Sequence, residues 1–122
     1  MQPVQVSGTR TAPAPAPARR GFVCAWEYVV RPACVAEFER IYGSEGEWVR
    51  LFRKAQGFRS TELHRDRTQP TRFLTLDFWD SREALDRFRK AFADEYGALD
   101  ARCESLTERE REIGRFEPVD LG

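Results

Sequence analysis

The chain has 122 residues, of which 41% are hydrophobic and 12% aromatic, and its 20 Lys plus Arg are balanced by 20 Asp plus Glu. These values describe one globular core under a well-solvated surface and exclude a chain disordered throughout. With no net charge there is no field toward nucleic acid or an anionic membrane, and with neither a bilayer-length apolar run nor a secretory leader the expectation is a cytoplasmic protein that binds neither.

From Met1 to Arg20 the sequence is polar and then alternates Ala and Pro. That composition predicts an extended, disordered tail ahead of one folded domain spanning 21–119. Phe22 to Val30 is rich in aromatic and β-branched residues and reads as a first strand, stopped by Pro32. Phe22, Cys24, Trp26 and Tyr28 share one face of it, and Val23, Ala25, Glu27 and Val29 the other, so burial on both sides is expected. From Pro32 the residues Val35, Phe38, Ile41 and Tyr42 fall at helical spacing, with Gly43 ending the helix. Ser44 and Glu47 have the form of a capping box for a second short helix through Trp48, Leu51, Phe52 and Ala55. After Gln56-Gly57, Phe58 to Arg65 reads as a strand, Asp66 to Thr71 as a turn, and Arg72 to Trp79 as a third strand, apolar on both faces. Ser81 caps the longest helix, with Leu85, Phe88, Phe92, Tyr96, Leu99, Cys103 and Leu106 on one stripe and Gly97 the expected point of interruption. The signs alternating from Glu104 to Glu112 read as a solvated helix face, leaving Ile113 to Val119 as a short last strand.

This order corresponds to an α+β, ferredoxin-like β-α-β-β-α-β unit with an antiparallel sheet. Both helical segments roof one sheet face. The other is left apolar, and a homodimer through the sheets would cover it. Glu27, on that uncovered side, is expected to pair with an arginine of the partner copy.

The three cysteines, Cys24, Cys34 and Cys103, form no C-x-x-C, and the single histidine, His64, completes no zinc-like spacing, so neither a metal nor a disulfide is expected. Cys24 and Cys103 sit on apolar faces, where free cysteine is usually buried and inert.

With the strand-helix junction Phe78-Trp79-Asp80-Ser81-Arg82-Glu83-Ala84 in place, the chain resembles the antibiotic biosynthesis monooxygenase-like (ABM) family of the dimeric α/β barrel superfamily. The likeness runs from the Phe22 strand through Pro32 and the Gly57-Phe58 turn to the Trp-x-Ser-x-Glu-Ala segment and beyond. It implies a dimeric α/β barrel with a cavity between sheet and helices, lined by Trp79. It further implies either oxygenation of a small aromatic, polyketide-like or quinol-like, substrate without a cofactor, or oxidative haem breakdown, or a barrel with no assigned chemistry. Haem-degrading members carry an asparagine at or near the position of Trp26 and a helix histidine at that of Phe88; with both positions apolar here, iron would find no imidazole on the helix. Cofactor-independent oxygenation needs a base and an apolar chamber, whereas a small-molecule-binding or stress-response barrel would fill the same chamber without catalysis.

Regular alternation places Phe73, Thr75, Asp77 and Trp79 on one face of the third strand, the face that the resemblance turns toward the cavity. Asp77 there is either a desolvated general base or a carboxylate paired with one of the arginines. His64, near the end of the second strand, is either an imidazole base or an exposed strand-end residue beside Arg65 and Asp66. Trp26, Tyr28, Thr75, Trp79, Phe88 and Phe92 are the candidates to shape the chamber around a flat ligand, with Trp48 as a further stacking surface, and ordinary core packing is the other reading of each.

Overall fold

The computed structural model describes residues 21–119, so the Ala/Pro tail expected over 1–20 lies outside the described residues. Four antiparallel strands form one open sheet in the order β2-β3-β1-β4: β1 is Phe22–Val30, β2 Phe58–Arg65, β3 Arg72–Trp79 and β4 Thr107–Phe116. β1 and β3, the strands with two apolar faces, hold the centre, where both faces can be covered and each strand has a neighbour on both edges. Four helices, α1 (Val35–Tyr42), α2 (Glu47–Phe52), α3 (Arg82–Ala91) and α4 (Ala93–Cys103), lie on one side. Between sheet and helices runs an aromatic core in which Phe38, Phe73, Trp79 and Phe88 are each at most 2% exposed.

Local chemistry sets most boundaries. Ser81 caps α3, its hydroxyl accepting the Ala84 N–H at 3.1 Å. Gly57 joins α2 to β2 with φ +95°, and a Cβ there would stand 2.6 Å from that of Ala84, so the turn tolerates no side chain.

Five expectations are corrected. The first helix starts as a 3₁₀ turn, Pro32–Cys34, and becomes α-helical only at Val35. The capping box does not form: Gly46 is the N-cap of α2, because the chain folds back so closely on α1 that a Cβ at position 46 would lie 2.1 Å from the Ile41 carbonyl oxygen. The long helix breaks at Phe92 (φ −116°, ψ 30°), not at Gly97, which sits within α4 with no neighbour near its Cβ position. The break lets Phe92 stack on Phe88 while α4 redirects Leu99 and Cys103 into the core. The charged stretch read as a helix face is a 3₁₀ turn, Glu104–Leu106, followed by edge strand β4. Its signs alternate with period two, so Glu110 and Glu112 face the helices while Arg109 and Arg111 face away. Glu27 finds its arginines within its own chain: it is 5% exposed, with Arg111 Nη2 2.9 Å from one carboxylate oxygen and Arg72 Nε on the other.

The sheet face away from the helices carries half-buried Val23, Leu74, Leu76 and Phe78, with Phe116, 50% exposed, beside Val23 on β4. No helix among the described residues is long and apolar enough to cross a membrane.

Candidate active site

Side chains from β3 and β1 that point toward the helices form the floor of a cavity: Thr75 and Asp77 from one strand, Trp26 and Tyr28 from the other. Tyr42, Trp48 and Phe52 from α1 and α2 form part of the wall, and Tyr96, whose ring meets that of Trp48 edge to face at 5.1 Å, continues it with Asp100 from α4. Thr61 of β2 and Glu110 of β4 complete the lining from the two edge strands. The volume is about 40 Å³, room for a few water molecules. Trp26 and Tyr96 are the cavity's half-buried aromatic walls, the ones a larger guest would have to displace.

Asp77 is the chemically distinctive group. It lies on β3 between Thr75 and Trp79, which are 3% and 1% exposed, and faces Cys24 of β1 and Thr61 of β2 across the ladder. Desolvation lifts its pKa from 3.8 to about 6, opposed by the Thr61 hydroxyl, which donates to Oδ1 at 2.8 Å. That hydroxyl is aimed inward by a bulge in β2: Phe58 pairs with Trp79, but Ser60 pairs with Phe78 and Thr61 with Asp77. A regular strand would have put Ser60, Glu62 and His64 on the side of Phe58. The bulge reverses the alternation, so Thr61 and Leu63 look inward and His64 outward.

Around Asp77 the lining holds polar groups with little capacity for charge. Thr75 donates to the Tyr28 hydroxyl at 3.4 Å, and burial holds the Tyr28 and Tyr96 phenols above their usual range. The Cys24 thiol donates to Glu112 at 3.2 Å and is pushed up to about 12 by burial and that carboxylate, so it is no nucleophile at neutral pH. At the mouth Glu110 is raised by burial and then by the neighbouring Asp100 and Glu104. Among the described residues no three His, Cys, Asp or Glu converge as a metal site.

Of the residues singled out from sequence, the structure brings Trp26, Tyr28, Trp48, Thr75 and Asp77 together around the cavity. Trp79 and Phe88 lie beneath it, 5.2 Å apart in the aromatic core, and Phe92 stacks on Phe88 at 5.5 Å. His64 stands on the opposite face, exposed, with Nε2 2.9 Å from Glu62. Thr61, Asp100 and Glu110 were not singled out. Asp100, one helical turn after Tyr96, and Glu110, on the period-two charge alternation, had patterns to find; Thr61 depends on a bulge that no local pattern announces.

The chain matches the family model for antibiotic biosynthesis monooxygenase over residues 22–100. Comparison with curated proteins gives no match. Among solved structures it is similar to a monooxygenase from the gene ActVA-Orf6 of Streptomyces coelicolor in complex with Nanaomycin D, with 24% identity over 85% of this chain and 92% of that one and a TM-score of 0.64. It is also similar to SnoaB, a cofactor-independent oxygenase from Streptomyces nogalater, with 23% identity, 79% and 90% coverage and a TM-score of 0.57. For an antibiotic biosynthesis monooxygenase from Deinococcus radiodurans, so described provisionally, the identity is 17%, the coverage 82% and 94%, and the TM-score 0.64. At these identities the structural likeness carries the fold alone.

Proposed function

We propose that this chain, which belongs to the antibiotic biosynthesis monooxygenase family, oxygenates a small hydroxyaromatic substrate of polyketide or quinol type without a cofactor, using Asp77 as general base. The observation that carries the reading is a carboxylate tuned to about 6 inside an aromatic cavity. At neutral pH such a group is ionised, yet basic enough to share a substrate proton, the balance a general base needs. A merely structural carboxylate would be paired with arginine, as Glu27 is, whereas the hydrogen bond to Asp77 comes from a neutral hydroxyl. This contrast favours catalysis over binding alone.

In the proposed reaction Asp77 removes a proton from a substrate methylene or from a phenol conjugated to one, and the electron-rich anion reduces dioxygen. The methylene carbon is oxidised by four electrons to a carbonyl, one oxygen atom remains on it, and the other leaves as water with the two methylene hydrogens. The substrate supplies all the electrons. Thr61 holds Asp77 in place, while Trp26 and Tyr28 supply faces for a flat ring and limit the water reaching the anion. The half-buried apolar sheet face with Phe116 exposed beside it supports a homodimer through the sheets, which would complete the dimeric barrel.

Oxygen uptake with a panel of anthrones and quinols tests the assignment. Wild type should consume oxygen with at least one of them, Asp77→Asn should lose about two to four orders of magnitude in rate, and His64→Ala should keep it. Full activity in Asp77→Asn removes the base.

A further inference from the structure

Among the described residues the cavity walls carry charge of one sign: Asp77, Asp100 and Glu110 line it, and no Lys, Arg or His does. The nearest stacked cation, Arg89, lies over the Tyr96 ring at 4.3 Å but is not part of the lining. An anionic guest would therefore meet like charge at the mouth and again at Asp77, with ring faces and hydroxyls between. A bare divalent cation is a poor occupant, since among the described residues no three His, Cys, Asp or Glu converge. What the lining does supply for a cation is aromatic: Trp26, Tyr28, Trp48 and Tyr96 present the ring faces that attract an organic ammonium.

Trp48 is 7% exposed, and its indole N–H lies against the Tyr42 hydroxyl and the Cys103 thiol, so what it offers a guest is the ring rather than the N–H.

The positions of the carboxylates also set a length. Asp77 faces Cys24 on one side of β1, and Glu110 faces Tyr28 on the other, four residues along the strand. With strands ~4.8 Å apart and ~3.3 Å per residue, their backbones are roughly 16 Å apart. Once both side chains reach inward, the remaining span suits one ring with a short tether.

We propose that the cavity takes a hydroxyaromatic ligand carrying a protonated amine, its ring among Trp26, Tyr28, Trp48 and Tyr96 and its ammonium at the mouth between Asp100 and Glu110. This rests on reading the cavity as the substrate site and adds the charge of the substrate. The hydroxyl end then lies toward Asp77, so the carboxylates divide the work: one accepts a proton and two hold the cation.

Tryptophan fluorescence of the full chain, titrated without oxygen, tests it with three phenols of nearly equal size: tyramine as cation, 4-ethylphenol as neutral probe and 4-hydroxyphenylacetate as anion. The dissociation constant for tyramine should be roughly tenfold below that for the anion, with 4-ethylphenol between them, as expected of carboxylates at a solvated mouth. The preference should shrink in high salt and in the Asp100→Asn, Glu110→Gln double variant. Because the ranking is read on the wild type, it does not depend on the variant folding. If the anion binds as tightly as tyramine, the charge assignment is overturned while Asp77 stands as base. If none of the three binds, the charge assignment and the cavity reading fall together.

Discussion

Replacing Asp77 by asparagine should make the protein more stable at neutral pH while disabling it. A rise in pKa from 3.8 to about 6 means that burial penalises the charged carboxylate. At 1.36 kcal/mol per pH unit the penalty is about 3 kcal/mol, an upper figure because Asp77 is half-buried and solvent reaches it through the cavity. The sign follows from proton binding. Between the two pKa values the folded state holds the proton and the unfolded state has released it, so stability falls as pH rises from about 4 to about 6 and then levels off. Asparagine has nearly the same shape, and its oxygen can still accept from Thr61. Urea denaturation of both proteins at several pH values provides the assay. Below pH 4, where the native carboxyl is neutral, the two midpoints should nearly coincide; at pH 7 to 8 the variant should be more stable by about 1 to 3 kcal/mol. Equal stability of the two proteins across the range would refute the desolvation argument, and with it the physical basis for treating this carboxylate as a base.

Three further outcomes are expected. Thr61→Val removes the donor that favours the charged form of Asp77, so the ionisation near pH 6 in the pH-rate profile should move upward, while Thr61→Ser should leave it in place; an unchanged profile in the valine variant would show that the hydroxyl does not tune the base. Glu27→Gln leaves Arg72 and Arg111 facing a neutral amide. Because those guanidiniums hold the Glu27 carboxyl below its usual range, its stabilising effect is present at neutral pH and lost as pH falls through that lowered value, so the deficit of the variant, read by thermal melting, should narrow under acid conditions. Phe88→Ala opens a hole where the ring touches Phe52, Trp79, Phe92 and Tyr96, and should cost about 3 to 5 kcal/mol in urea denaturation.

Much of the candidate cavity was legible because its floor belongs to two strands with strong local signals. On β3, alternation alone sets Thr75, Asp77 and Trp79 on one face, and on β1 it groups Trp26 with Tyr28, so the acid and its aromatic neighbours follow from period two. His64 illustrates the limit. A strand that alternated regularly from Phe58 would have turned it inward, and the one-residue bulge near Arg59 exchanges it for Thr61. The charged run before Phe116 carried two compatible periods, and only hydrogen bonding to β1 selected the extended one.

By itself the order of apolar periods along the chain determined the layered α+β architecture, the antiparallel sheet and the strands that needed burial on both faces, since these depend on residues close in sequence. Tertiary structure decided which chain supplies the arginines for Glu27, where the long helix breaks, and that Asp77 lies in a cavity whose mouth is acidic. The first and the third depend on groups far apart in sequence, such as Glu27 with Arg111 or Asp77 with Cys24 across from it on β1. Their meeting is set by sheet register, which no local pattern encodes.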